Sequence, residues 1–169
     1  MDELYEFRRY NVACYRLNQA AIMPSSQNDL QTLSGGCLCA QVRYRITGPR
    51  RDIILCHCQN CRRTHGHVSA YTSVDQKDLV ITSEISLRWY HDQSPDTYRG
   101  FCNECGSSLF WDARDGRNKM GVSAGTLDAS HGLKTIGHVY LAEAGDYYEI
   151  NDDLPRFEYS NGGDLEPGG

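Results

Sequence analysis

Short runs of alternating apolar and polar residues predict a protein built mostly of β-strands. The segment Gln41–Ile46 places valine, tyrosine and isoleucine on one face and two arginines on the other, which is the period of a strand with one buried side. Further β-prone runs are Ile53–Leu55, Ser69–Val74, Leu79–Thr82, Leu87–Tyr90, Ser108–Trp111, Lys119–Val122, His138–Leu141 and Tyr147–Ile150. Gly, Pro, Asp and Asn separate these runs at short intervals, as turns between strands require.

Helical periodicity is weak throughout the sequence. No window keeps apolar residues at a spacing of about 3.6 for long enough to predict a substantial helix. A helical turn or two is expected around Cys58–Thr64 or Asp75–Asp78. The predicted fold class is therefore mostly β.

The chain divides near Met23. The preceding segment, Met1–Ile22, shows no capping pattern, no turn pattern and no clear alternation, and its first residues look like a fusion junction. We expect residues 1–22 to be a non-native or disordered leader, residues 23–159 to form one domain and residues 160–169 to be a flexible, Gly-rich tail. A length of 169 residues suits a single domain with its own core.

Charge and hydropathy argue against nucleic-acid and membrane partners. The net charge is −5, and the lysines and arginines are scattered, whereas a nucleic-acid-binding protein usually presents a basic face. No apolar run approaches the ~20 residues needed to span a bilayer, and no N-terminal signal pattern is present. The expectation is a soluble, cytoplasmic protein.

Seven of the eight cysteines fall into three tight groups, and Cys14 stands apart as an expected free thiol. Disulfides explain the clustering poorly, because a bridge within a Cys-x-Cys pair is strained and seven cysteines cannot all pair. Iron–sulfur clusters need four sulfurs, or an unusual replacement, at each site. Zinc is therefore the metal ion that these cysteines are expected to bind. The groups are Cys37 and Cys39; Cys56, Cys58 and Cys61; and Cys102 and Cys105.

The first and last groups have the paired spacing of zinc knuckles. Each knuckle supplies two sulfurs on one side of a metal, so two knuckles complete the tetrahedron of a structural zinc site. Glycines beside them allow tight turns around the ion. We expect a closed four-thiolate site from Cys37, Cys39, Cys102 and Cys105.

The middle group puts three thiolates on one short segment and leaves no fourth cysteine nearby. Three protein ligands with a free fourth position are typical of a catalytic zinc site. A histidine from His57, His65 or His67 can still close this site, which is the main alternative. His57 lies between two ligands, so its side chain is expected to point away from the metal.

The charge of the open site favours thiol or carbonyl chemistry over hydrolysis. Three thiolates around a divalent cation give a formal charge of −1, which damps the Lewis acidity of the metal. Soft metal–sulfur bonding suits a thiol substrate. Arg62 and Arg63 follow the last ligand directly. They are candidates to offset this charge and to hold substrate carboxylates, with solvated loop cations as the alternative.

An ordered set of motifs resembles the family of glutathione-dependent formaldehyde-activating enzymes, which includes centromere protein V-like proteins. The resemblance runs from Ser34 to about Glu158 and rests on the whole set together. The motifs are Gly35–Cys39, Cys56–Arg63, Phe101–Leu109, Gly125–Asp128 and Asp152–Phe157.

This resemblance implies an antiparallel β-tent fold with two zinc ions per chain. It implies a structural zinc on Cys37, Cys39, Cys102 and Cys105 and a catalytic zinc on Cys56, Cys58 and Cys61. It also implies a carbon–sulfur lyase activity run in reverse, which joins glutathione and formaldehyde into S-(hydroxymethyl)glutathione. The expected partners are then a small thiol and a small carbonyl.

Two other functions remain open at the level of the sequence. One is a non-catalytic, zinc-stabilised β module that binds another protein, although such a module has no need of an open three-cysteine site. The other is the same scaffold used as a hydrolase on a different electrophile. Candidates for proton transfer are His65, His67, Asp128 and His138.

Overall fold

A computed structural model describes residues 31–93, 96–128, 131–160, 162 and 165 of the chain. The expected leader, residues 1–22, lies outside the described residues. So does most of the expected tail, residues 160–169. Both expectations therefore stay predictions.

The described residues form two β-sheets and little helix. The smaller sheet has the strand order β1-β2-β5, and the larger has the order β10-β3-β4-β9-β8-β7-β6. This confirms the mostly β fold class. The strands are β1 Leu33–Gly36, β2 Val42–Ile46, β3 Ile53–Cys56, β4 Ser69–Asp75, β5 Leu79–Glu84, β6 Leu87–Gln93, β7 Asp96–Cys102, β8 Ser108–Asp112, β9 Lys119–Ser123 and β10 Thr135–Val139.

One helix and three short 3-10 turns complete the described structure. Helix α1 spans Gln59–His65 and ends at Gly66, whose φ of 76° is the left-handed conformation that glycine favours. The 3-10 turns are Gln76–Asp78, Ala124–Thr126 and Leu141–Glu143. Both predicted helical turns are thus confirmed. Among the described residues, no helix is long and apolar enough to cross a membrane.

The sequence pattern fails to predict two strands, β1 and β7, and one predicted strand is wrong. The predicted run Tyr147–Ile150 contains no strand, and the run predicted at His138–Leu141 forms a strand only as far as Val139. Strand β7 was not predicted because it contains Gly100 and lacks a regular alternation of apolar and polar residues. Strand β1 ends in two glycines, because a Cβ on Gly35 would collide with the ring of Tyr44 on the neighbouring strand.

The larger sheet is antiparallel except for one pair of strands. Strand β10 pairs with β3 in parallel, with Val139 opposite Cys56, while the other strand pairs are antiparallel. A long excursion through the rest of the larger sheet separates β3 from β10, and a connection of this kind permits parallel pairing. The consequence is that the end of β10 lies beside the three-cysteine segment.

The hydrophobic core lies between the two sheets. Val42, Tyr44 and Ile46 of β2 are buried, as the alternation predicts. The ring of Tyr44 meets the ring of Phe110 on β8 edge to face, with 5.2 Å between centroids, and its hydroxyl bonds to Thr126 Oγ1 at 2.8 Å. One face of the larger sheet is thereby committed to packing, which leaves the opposite face for other uses.

We predict that Phe110→Ala lowers the free energy of unfolding by about 3–5 kcal/mol, because Phe110 is fully buried at the contact between the sheets. Urea denaturation at a fixed zinc concentration measures the change. Ile85→Ala is the control, since this side chain is 74% exposed, and its effect should stay within about 0.5 kcal/mol. Equal effects of the two changes would contradict the assigned core.

Candidate metal centres

The first cysteine pair lies in a tight turn between β1 and β2. Ala40 N–H donates to Cys37 O at 3.0 Å, and Ala40 adopts a φ of 62° to close the turn. Val42 N–H points at the sulfur of Cys37, with an N–Sγ distance of 3.2 Å. The backbone therefore wraps around the sulfur in the way that a metal knuckle requires.

The second pair lies in the turn between β7 and β8. Gly106 N–H donates to Cys102 O at 2.8 Å, and Gly106 has a φ of 74°. The two turns are joined by Ser107, whose Oγ accepts from Leu38 N–H at 3.1 Å. Cys37 and Cys102 are both part of the hydrophobic core cluster, so this junction ties the smaller sheet to the larger one.

The geometry of these four sulfurs fits a zinc ion. All four lie within 4.8 Å of one another, with 3.5 Å between the Sγ atoms of Cys37 and Cys39 and 3.6 Å between those of Cys39 and Cys102. A tetrahedral zinc with Zn–S bonds of ~2.3 Å requires sulfurs about 3.8 Å apart, whereas a disulfide requires about 2.05 Å. All four cysteines are free thiols.

The second cysteine group lies at the junction of β3 and α1. Cys56 ends β3, and Cys58 caps the helix, its Sγ accepting from Cys61 N–H at 3.3 Å. Cys61 lies in the first helical turn and is buried. The three sulfurs lie within 4.8 Å of one another, so the fold brings together the predicted three-cysteine set.

The close approach of the three sulfurs shifts the pKa values of Cys56 and Cys61 in opposite directions. The pKa of Cys61 is lowered, chiefly by hydrogen bonds from Cys56 and Cys58. The pKa of Cys56 is raised by its hydrogen bonds with the other two cysteines and by burial. A zinc ion is the cation that suits three sulfurs at this spacing.

His57 points away from the three sulfurs, as its position between two of them predicts. Its Nδ1 bonds to the hydroxyl of Tyr148 at 2.6 Å, and its Nε2 bonds to Nδ1 of His138 at 2.9 Å. His138 Nε2 in turn contacts both carboxylate oxygens of Asp152, at 3.1 and 3.0 Å. Burial, followed by the charge of His138, lowers the pKa of His57 to about 4. This buried chain fixes the loop that carries Cys56 and Cys58.

The two other nearby histidines are not brought into the sulfur cluster. His65 Nε2 bonds to the hydroxyl of Tyr71 on β4 at 3.0 Å, and burial lowers the pKa of His65. His67 is exposed and contacts the hydroxyl of Tyr147 through Nδ1 at 2.9 Å. Within the described residues, the cluster therefore consists of three cysteines alone, which agrees with an open site.

The two arginines after Cys61 have different surroundings. Arg62 Nε donates to His57 O at 3.2 Å and to Glu143 O at 3.1 Å. The Glu143 carboxylate also accepts from Gln59 N–H at 2.8 Å. Arg62 thus fastens α1 to the turn Leu141–Glu143, while Arg63 is exposed.

Asp128, a candidate for proton transfer in the sequence, is instead engaged in an ion pair. Arg43 on β2 donates to both of its carboxylate oxygens, at 3.2 and 2.6 Å, and Ser34 Oγ also donates to it. These hydrogen bonds lower the pKa of Asp128. The residue joins the smaller sheet to the segment after β9.

Sequence reasoning missed several residues that surround the three-cysteine site. Asp152 lies within the motif Asp152–Phe157, but its hydrogen bond to His138 depends on tertiary structure. The roles of Tyr148 and Glu143 have no local sequence signal. Each of them reaches the site from a distant part of the chain.

Comparison with known proteins identifies the family. A sequence model of the glutathione-dependent formaldehyde-activating enzymes matches residues 32–143, more than half of the chain, and includes all seven clustered cysteines. The chain belongs to this family, and the resemblance seen in the sequence is confirmed.

Two more distant similarities accompany the family match. The chain is 22% identical over 123 residues to an uncharacterized lyase of Schizosaccharomyces pombe, covering 73% of this chain and 88% of that protein. It also resembles the crystal structure of a Rhodobacter sphaeroides protein, with 22% identity, a TM-score of 0.48 and coverage of 57% of this chain and 88% of the other.

We predict that Asp128→Asn lowers the free energy of unfolding by about 1 kcal/mol near neutral pH, because it weakens a partly exposed ion pair. The folded-state pKa of Asp128 lies below its ordinary value of 3.8. The contribution of this carboxylate is therefore full above that value and is lost as the pH falls below it. Denaturant titrations of wild type and variant should converge at low pH. Asp153→Asn, at an exposed position, is the control and should change little.

Proposed function

We propose that the protein is a zinc-dependent carbon–sulfur lyase-type enzyme resembling S-(hydroxymethyl)glutathione synthase. It would join a thiol such as glutathione to formaldehyde or a related small carbonyl. The observation that carries this proposal is the cluster of three sulfurs from Cys56, Cys58 and Cys61, to which the described part of the chain adds no fourth ligand, in a chain of this family. A module that only binds other proteins has no need of such an open cluster.

The two cysteine groups are assigned different roles on the basis of their surroundings. Cys37, Cys39, Cys102 and Cys105 hold a structural zinc at the junction of the sheets, and Cys56, Cys58 and Cys61 hold a catalytic one. When bound, the second zinc would offer a free coordination position to a thiol sulfur or a carbonyl oxygen and lower the pKa of a bound thiol. Free thiols in both groups suit the reducing cytoplasm, where we place the protein.

The protein's own residues orient the substrate and accept its proton. Arg63, exposed beside the last ligand, is proposed to bind a substrate carboxylate, and Arg62 to contribute positive charge while it holds the loop. Of the four candidates for proton transfer, His65 has the best placement. It lies on the helix of Cys61, and burial favours its neutral form, which can accept a thiol proton.

We predict two zinc ions per chain with unequal lability, because four protein sulfurs saturate one ion and three leave the other incomplete. Mild chelation should remove one ion and leave the circular dichroism spectrum unchanged. Cys58→Ser should abolish the labile ion only, whereas Cys102→Ser should give poorly folded protein, since structural zinc contributes ~10–16 kcal/mol in finger peptides.

Cys14→Ser is the matched control, because Cys14 lies outside both groups, and it should keep both ions. Metal is counted by mass spectrometry of the intact, reduced protein. A single zinc in freshly prepared protein, or a sharp thermal transition in the Cys102 variant, would contradict the assignment of the two sites.

We predict that cobalt in the open site reports thiol binding directly. Glutathione should raise the sulfur-to-cobalt charge-transfer absorption, because a fourth sulfur joins three, whereas S-methylglutathione has no ionisable thiol and should not. Wild type should also accelerate formation of S-(hydroxymethyl)glutathione from glutathione and formaldehyde, followed by nuclear magnetic resonance exchange. Cys58→Ser should abolish both signals.

An unchanged cobalt spectrum at millimolar glutathione would contradict the proposed binding of a thiol to the metal. Thiol binding without turnover would instead redirect the search to another small carbonyl. If neither signal is seen with any thiol, the protein-binding module or a hydrolase on this scaffold becomes the better interpretation.

A further inference from the structure

A buried arginine on β7 takes no part in the contacts described above. The side chain of Arg99 belongs to a residue only 6% exposed, and its Nη1 atom is buried without a hydrogen-bond partner among the described residues. A buried donor nitrogen without a hydrogen bond opposes folding. A guanidinium kept in this state therefore indicates a requirement other than stability.

Strand register places Arg99 on the same face of the larger sheet as the three-cysteine site. Arg99 pairs with Trp111, and Trp111 pairs with Gly121. Directly paired residues share a face, and so do residues two apart on one strand. From β7 to β3, this face carries Arg99, Trp111, Gly121, Tyr71 and Cys56.

On this face, Trp111 and Tyr71 lie between Arg99 and the cysteines. A Cβ at Gly121 would lie 3.3 Å from both Trp111 and Tyr71, so glycine lets these two rings approach each other. The hydroxyl of Tyr71 meets His65 on α1. This face thus runs from β7 to the helix that carries Cys61, and Arg99 and Tyr71 on it are buried, where a charge is screened less than at the surface.

The charge of Arg99 affects the pKa values of residues beside the three-cysteine site. Burial raises the pKa of Tyr71, and the positive charge of Arg99 is among the smaller causes that lower it. Burial is the main cause of the lowered pKa of His65, and Arg99 adds to it. Both effects have the sign expected of a cation within electrostatic range.

We propose that Arg99 is the counter-charge of the three-cysteine site and makes its open position selective for an anionic ligand of the thiolate class. This inference rests on the proposed function, because three thiolates around a divalent zinc carry a net charge of −1. A thiolate as the fourth ligand raises that to −2. Arg99 is then a positioning residue that acts on the ligand through the field of its charge, without touching it.

The test compares anionic and neutral ligands on the cobalt-substituted full chain. 2-Mercaptoethanol, which binds as a thiolate, and imidazole, which binds as a neutral molecule, are titrated against wild type and Arg99→Met, with binding followed by cobalt absorption. Methionine fills a similar space without charge. We expect about tenfold weaker binding of 2-mercaptoethanol and unchanged binding of imidazole. Arg99→Lys should restore most of the thiolate affinity, because it keeps the charge.

Arg88→Met is the matched control. Arg88 lies on the same face of the neighbouring strand, β6, but is exposed, so water screens its charge and neither ligand should be affected. The thermal midpoint of Arg99→Met should not fall below that of wild type, since the substitution removes a buried donor that has no hydrogen bond.

The possible failures are distinguishable from one another. If 2-mercaptoethanol fails to bind even to wild type, the proposed function is wrong. If it binds wild type and Arg99→Met equally, or if Arg99→Met weakens both ligands alike, the counter-charge role is overturned while the thiol mechanism stands. A large drop in thermal midpoint without rescue by lysine would show that Arg99 serves the fold instead.

Discussion

The meeting of Cys37, Cys39, Cys102 and Cys105 is the constraint on which the rest of the structure depends. Sulfurs separated by more than sixty residues in sequence lie 3.6 Å apart, and their turns join the smaller sheet to β7 of the larger one. Closing so long a loop costs conformational entropy, which metal coordination can offset. With this junction fixed, Tyr44 and Phe110 are brought into contact and the core between the sheets is defined.

The two faces of the larger sheet differ in composition, and this difference follows from that junction. The inner face is apolar and carries Phe110 and Val122, both fully buried. The outer face carries Cys56, Tyr71 and Arg99, whose polar groups need partners or ligands. The chain of hydrogen bonds from Tyr148 through His57 and His138 to Asp152 holds the outer loop in place of apolar packing. Stability and chemistry therefore occupy opposite sides of one sheet.

The sequence predicts the metal-binding residues better than it predicts what surrounds them. Cysteine spacing is a local signal, because each group spans only three to six residues, and all seven clustered cysteines lie in the two sites predicted. The alternation of β2 is equally local. The sequence pattern did not predict strand β1. Gly35 is required there because a Cβ would collide with Tyr44 on the partner strand, and an alternation of apolar and polar side chains gives no signal at a residue that has no side chain.

Contacts between distant segments account for the remaining misses. The run Tyr147–Ile150 has strand-forming residues, yet Tyr148 is used to bond His57, so tertiary contacts override its propensity. The parallel pairing of β10 with β3 is likewise a property of the assembled sheet.

The three arginines near the open site show why burial, and not proximity in sequence, decides electrostatic influence. Arg63 is adjacent to the ligands in sequence but exposed, so water and salt reduce its effect to that of a surface charge. Arg62 is closer to the loop, but its Nε is committed to two backbone carbonyls. Arg99 is distant in sequence, buried and surrounded by protein, where the same charge acts through a lower effective dielectric. Because a thiolate adds negative charge to a site that already has an excess of it, the least screened cation contributes most to its binding.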